Sequence, residues 1–314
     1  MSRDIKVVYI VGVGRSGSTL VGDVLGDLPG WFHVGELGGL WRMLRPSRHV
    51  CSCGASVRDC EFWGGIVESA WGALDPETAA SWAREVLRSR RVPGFLRASR
   101  EAILAEPALA EYLELTRRLY QAVAESKNAR VIVDSSKTPA HASLLRFVPG
   151  VDPYFVHLVR DARGVAYSDG KEESRAIGLR PLGPVTSARN WVMRNLGAEM
   201  IRRHSPSRSI LVHYEDFAAR PRETVAAILD LVHERATRLP FIDDRTVDLA
   251  PRHTLKGNLN RFVTGPMEIR RDDAWRSRLA PRRACLVTTL TLPLLLRYGY
   301  RVRWSEGRRR DGGS

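Results

Sequence analysis

Lysine is scarce in this 314-residue chain: 44 of its 49 basic residues are arginine, and the five lysines are Lys6, Lys127, Lys137, Lys171 and Lys256. Also missing is any uninterrupted apolar run of the ~18 residues that a membrane-spanning helix needs. The best stretch, 285–296, is shorter and contains Pro293. No repeat or low-complexity linker divides the chain, and the opening residues, with Arg3, Asp4 and Lys6, carry no secretory pattern. These absences set a cytoplasmic location without a membrane span as the expectation. What is present is an ordinary globular balance, 44% apolar and 27% charged, long enough to bury a sizeable core. The net charge of +14 and isoelectric point near 10.3 favour an anionic partner. The basic residues are scattered, however, and their one cluster, Arg308–Arg310, lies in a polar tail over 305–314 expected to be disordered. Nucleic acid is therefore not the expected partner.

Short apolar runs at 7–11, 31–34, 131–133, 154–159 and 210–213 read as strands, the first of them β-branched as in a sheet buried on both faces. Helix-like segments at 19–28, 141–147, 164–174 and 222–232 alternate with them. That alternation predicts a three-layer α/β fold, a parallel sheet with helices on both faces, in one domain spanning 1–304. A helical insertion is expected over 66–127. There Asp75-Pro76-Glu77 has the form of a helix start, and Ala79, Trp82, Ala83, Val86 and Leu87 fall on one face. A second stripe is Tyr112, Leu115 or Thr116, Leu119 and Val123. Both stripes read as core, with a lid over a ligand as the alternative.

Between the first strand and the first helix stands Gly12-Val13-Gly14-Arg15-Ser16-Gly17-Ser18-Thr19. Glycines let such a turn bring its N–H groups close to an anion, and the following helix adds its positive end. Gly12, Gly17 and Thr19 fit the nucleotide-hydrolase pattern G-x-x-x-x-G-K-[ST], but Ser18 occupies the lysine position and the fixed cation is Arg15 instead. The dinucleotide pattern G-x-G-x-x-G is also spelled, but the acid near the expected spacing of about 20 residues, Glu36, stands in His33-Val34-Gly35-Glu36, a setting read otherwise below.

The segment Gly14-Arg15-Ser16-Gly17-Ser18-Thr19-Leu20 resembles the 5′-phosphosulfate loop of sulfotransferases that use 3′-phosphoadenylyl sulfate. A second segment, from Val156-His157-Leu158-Val159-Arg160-Asp161 to Ser168, resembles the family's 3′-phosphate motif, which implies that Arg160 and Ser168 hold that phosphate. The resemblance also implies a P-loop fold and a lysine near the sulfuryl group, Lys137 of Asp134-Ser135-Ser136-Lys137. It further implies a tyrosine by the adenine, Tyr214 of Tyr214-Glu215-Asp216-Phe217. In Gly257-Asn258-Leu259-Asn260-Arg261-Phe262, similar to the loop that closes on the cofactor, Arg261 would be a second 3′-phosphate ligand.

Transfer to a hydroxyl needs a general base. Where the cytosolic branch of the family has a histidine, two residues after the lysine, this chain has Pro139, and His141 lies two further on. Gly35-Glu36-Leu37, after the second strand, resembles the segment of the tyrosylprotein and trehalose-type enzymes that carries a glutamate base, which implies that role for Glu36. Glu36, Lys137 and Arg15 are thus the expected catalytic residues. The expected activity moves a sulfuryl group from 3′-phosphoadenylyl sulfate to a small-molecule, sugar or lipid acceptor without a metal. A P-loop kinase and a non-catalytic anion- or nucleic-acid-binding protein are the alternatives. His49, Cys51, Cys53 and Cys60 lie close together, but Cys-x-Cys with one distant cysteine lacks the usual paired spacing of a zinc site, so a metal-free structural segment is expected.

Overall fold

The computed structural model describes residues 4–44, 50–72, 83, 84, 86, 88, 91–171 and 181–302. The expected helix start at 75–77, Ala79, Trp82, Leu87, His49, the last residues of the 164–174 segment and the tail at 305–314 lie outside them.

Five strands form one parallel sheet: β1 (Ile5–Gly12), β2 (Trp31–Gly35), β3 (Val131–Lys137), β4 (Val151–Val159) and β5 (Ser209–His213), in the order β2-β3-β1-β4-β5. β1 is central, paired with β3 on one side and β4 on the other, and its residues from Val7 to Val11 are fully buried. Because strand side chains alternate, β1 serves two cores. Val7, Tyr9 and Val11 face the insertion helices, whereas Val8 and Ile10 face Val21, Val24, Leu25 and Phe217. This is the expected three-layer architecture.

The insertion contributes the helices Glu61–Trp71 and Pro107–Lys127. Tyr112, Leu115, Thr116, Leu119 and Val123 are all buried on the second, as their spacing predicts, and Ala83 and Val86 are also buried. Trp41 stacks on Trp71 at 4.0 Å, and the Trp71 indole donates to the carbonyl oxygen of Leu115.

An antiparallel hairpin, β6 (Thr246–Leu249) with β7 (Gly265–Glu268), encloses a long connection across 250–264. Leu255 in that connection bridges to Gly35 at the end of β2 and to Cys51. Gly35 takes φ 78°, and a Cβ there would stand 2.0 Å from the Leu255 carbonyl oxygen, so only glycine lets the two backbones meet. The connection is thereby strapped over the carboxyl ends of the strands. Strand order reverses about β1, which is where ligand crevices form in open α/β sheets.

Candidate active site

β1 runs into the glycine loop, and the helix Ser18–Gly26 starts from Gly17 with no side-chain cap, so its first N–H groups are left for a ligand. Gly17 holds φ 85° with the Tyr214 ring so close that a Cβ would lie 2.6 Å from it. Gly14, Arg15, Gly17, Ser18 and Thr19 line a cavity of about 510 Å³. Ser16 is buried beneath them, its hydroxyl without a hydrogen-bond partner among the described residues. Six cations line the cavity (Arg15, Lys137, Arg160, Lys171, Lys256, Arg270) against three carboxylates, a potential that selects anions. A larger cavity, about 870 Å³, lies beside the helix Pro281–Arg297, but its Asp161 is paired with Arg163 and its Glu215 accepts from Tyr300, and no glycine loop opens into it.

β4 ends at Val159, which puts Arg160 on the same rim, and the next helix, Ala162–Asp169, carries Ser168. Arg15 Nε donates to Ser168 Oγ at 2.8 Å, and Arg160 Nη1 donates to the Arg15 carbonyl oxygen at 3.0 Å. The glycine loop and the Arg160–Ser168 couple thus face one cavity. Arg160 also lies 4.6 Å over the Tyr214 ring and donates to the Asp272 carbonyl and carboxylate oxygens. Burial opposes ionisation of Asp272, but Arg160 outweighs it and lowers that carboxyl's pKa.

Glu36 follows β2, where Leu255 accepts its backbone N–H. Its Oε1 is 2.8 Å from Lys137 Nζ and its Oε2 is 3.3 Å from Lys256 Nζ. Burial works against the charged carboxylate, but the two ammonium groups more than offset it and hold Glu36 down to about 2. Lys137 is fixed in turn: its Nζ donates to the Ser135 carbonyl oxygen at 2.6 Å, and its own carbonyl accepts from Arg194. Upstream, Asp134 accepts from the Ser136 backbone and hydroxyl and from Tyr120.

Arg15, Lys137 and Lys256 share one more property. All three adopt left-handed backbone, at φ 65°, 62° and 50°, and among the described residues only Asn128 and His233 join them outside glycine. Such a conformation costs roughly 1–2 kcal/mol per residue, and three of the five instances among the described residues line this cavity.

Tyr214 lines the cavity, packed between Gly17 and Arg160, with its hydroxyl accepting from the Asp272 backbone N–H. Arg261 is buried in the strap, donates to the Gly257 carbonyl oxygen and does not line the cavity, although Gly257 and Asn258 do. His141 faces away, buried against Tyr9, with its Nδ1 hydrogen-bonded to the Tyr112 hydroxyl at 2.5 Å. Burial lowers it to about 4. The strap closes on the loop where Asn258 N donates to Thr19 Oγ1 at 3.1 Å.

Lys171, Lys256, Arg270 and Asp272 line the cavity without having been picked out from the sequence. A signal for two of them was there: in a chain that almost always uses arginine, three of the five lysines converge here.

A model of the sulfotransferase family matches residues 8–237. Among solved structures, the chain is similar to the sulfotransferase domain from the curacin biosynthetic pathway, with a TM-score of 0.54 and 15% identity over 96% of this chain and 100% of that one. It is also similar to the sulfotransferase domain from the Synechococcus PCC 7002 olefin synthase, with a TM-score of 0.51 and 19% identity over 96% and 98% of the two chains. At these identities the likeness carries the fold. No curated protein sequence matches the chain.

Proposed function

Since this chain belongs to the sulfotransferase family, we propose that its donor is 3′-phosphoadenylyl sulfate and its acceptor a hydroxyl or amine on a small molecule, sugar or lipid. The observation that carries this reading is the Arg15–Ser168 hydrogen bond, which joins the glycine loop and the Arg160–Ser168 couple at one cavity. A nucleotide with phosphate-type groups at two ends needs two cationic seats on one wall, and these residues fit that need. The orphaned Ser16 hydroxyl and the uncapped amides of Ser18–Gly26 fit a further anionic group at the loop.

The donor supplies an activated sulfuryl group, whose transfer to the acceptor oxygen or nitrogen leaves adenosine 3′,5′-bisphosphate. The chain supplies charge and a proton acceptor. Arg15, Lys137 and the loop amides stabilise the negative charge that grows on the departing phosphate oxygen. Glu36 Oε takes the acceptor's proton. A carboxylate held near 2 is a weak base, so Lys137 has to turn from Glu36 toward the incoming anion before Glu36 becomes effective. Arg160 and Ser168 hold the 3′-phosphate, and Tyr214 supports Arg160 from behind.

A P-loop kinase is disfavoured by two observations. Ser18 stands in the lysine position, and the Thr19 hydroxyl, which a nucleotide hydrolase points at magnesium, accepts from Asn258. No helix among the described residues is long and apolar enough to cross a membrane. Isothermal titration tests the donor class: adenosine 3′,5′-bisphosphate should bind more tightly than ATP with magnesium, and the reverse order would establish the kinase reading instead.

A further inference from the structure

Behind the strap, outside the anion cavity, three cysteines and a histidine converge. Cys51, Cys53, Cys60 and His253 bring three Sγ atoms and one Nδ1 within 4.8 Å of one another. The individual separations are 3.7 Å for Cys53 Sγ to Cys60 Sγ, 3.3 Å for Cys60 Sγ to His253 Nδ1 and 3.7 Å for Cys51 Sγ to His253 Nδ1. A tetrahedral zinc ion, with Zn–S about 2.3 Å and Zn–N about 2.0 Å, sets sulfurs about 3.8 Å apart and sulfur and nitrogen about 3.5 Å apart. Those three separations are close to the tetrahedral values, and all three cysteines are free thiols.

Their surroundings agree. Cys51, Ser52 and Cys53 form a tight turn closed by Gly54 N donating to the Cys51 carbonyl oxygen, with Gly54 at φ 92°. Cys60 is the N-cap of the helix Glu61–Trp71.

We propose that Cys51, Cys53, Cys60 and His253 hold a structural zinc ion that pins the strap at 250–264 to the hairpin turn at 50–56. The chain around the four ligands is built for such a clamp. Ser52 Oγ donates to the Arg252 carbonyl oxygen at 2.6 Å and accepts from Thr254 N at 2.8 Å, and Trp63 Nε1 donates to the His253 carbonyl oxygen at 2.7 Å. Three residues beyond His253 comes Lys256, beside Glu36, so the ion would fix the base of the strap that carries a cavity-lining cation. This role is structural: the ligand sphere is complete with protein atoms, and no position is left open for a substrate. The proposal departs from the metal-free segment expected from the Cys-x-Cys spacing, because the fourth ligand is not His49 but a histidine 193 residues beyond Cys60.

Metal analysis of the full chain, produced with zinc and purified without chelator, tests it. About one zinc per chain is expected for the wild type, and near none for C53S or for H253A. Cys53 is exposed, so C53S removes a ligand without opening the core, and circular dichroism confirms its fold. Cobalt substituted for zinc should give the intense visible bands of a tetrahedral thiolate site. Little zinc in the wild type, zinc retained in both variants, or a six-coordinate cobalt spectrum would each overturn the proposal. The readout is metal content and spectrum, so it is independent of whether the donor is 3′-phosphoadenylyl sulfate.

Discussion

Lys137 Nζ lies 2.8 Å from Glu36 Oε1, so the residue proposed as base and the residue proposed to stabilise the leaving charge are ion-paired with each other. The pairing has consequences for both. Burial alone would raise the Glu36 carboxyl, and only Lys137 and Lys256 bring it to about 2.

The wild-type enzyme should therefore show no acid limb from Glu36 in kcat/KM above about pH 4. Replacing Lys137 by Met removes the nearer ammonium and leaves burial opposed by Lys256 alone, so the acid limb should rise by at least about one pH unit while kcat falls. Glu36→Gln should cut kcat on the order of 10²–10⁴-fold with bisphosphate affinity retained. Near-normal turnover in Glu36→Gln would remove Glu36 from the mechanism and return attention to the acceptor's own acidity.

Arg160 and Ser168 separate the two ends of the donor in a second test. Loss of a hydrogen bond to a charged group costs roughly 1.5–3 kcal/mol, or about 10–150-fold. Arg160→Ala should weaken adenosine 3′,5′-bisphosphate by that order, and Ser168→Ala by less, while affinity for adenosine 5′-monophosphate changes little. Arg15→Ala should weaken both ligands, because Arg15 lies in the loop and also touches Ser168. Arg160 also packs on Tyr214 and Asp272, so Arg160→Lys, which keeps charge but not the planar fork, is the control for lost packing. Equal losses for the two nucleotides in Arg160→Ala would place the 3′-phosphate elsewhere.

The residues that could be read from the sequence are those whose chemistry acts locally. β1 was visible because a β-branched run buried on both faces has no polar alternation. The helix Pro107–Lys127 was visible because its buried stripe repeats at helical spacing, and the glycine loop because strand, turn and helix follow in order. The β6–β7 hairpin was not, because Thr246–Leu249 and Gly265–Glu268 are too short for a period and the latter begins Gly-Pro. Arg261 sits on the strap, in the segment that resembles the cofactor-closing loop, and its guanidinium donates to the Gly257 carbonyl oxygen. His253 joins Cys51, Cys53 and Cys60 only once the strap crosses β2, a contact that no local spacing announces.

Two buried imidazoles set the final prediction, which concerns stability. Burial lowers His141 from 6.5 to about 4, in a pocket with Tyr9, Tyr112, Tyr120 and Asp134. Burial likewise lowers His157 to about 4, outweighing its hydrogen bond to Asn195 and the charge of Glu199, with Arg202 and His213 pushing the same way as burial. Both are neutral in the fold and take up a proton in the unfolded chain as pH falls below about 6.5, so stability falls as pH drops from 6.5 toward 4. At 1.36 kcal/mol for each pH unit of separation, each histidine removes up to roughly 3 kcal/mol. Asp27, raised to about 6 chiefly by burial, works the other way below that pH, as do Asp134 and Asp169, both raised chiefly by burial, and the prediction is that the two imidazoles outweigh them between about pH 7 and about pH 5. Urea unfolding at about pH 7 and about pH 5 should therefore give a clearly lower midpoint at the acid value, with unchanged slope. Coincident midpoints would mean that the two rings do not govern the loss of stability in acid.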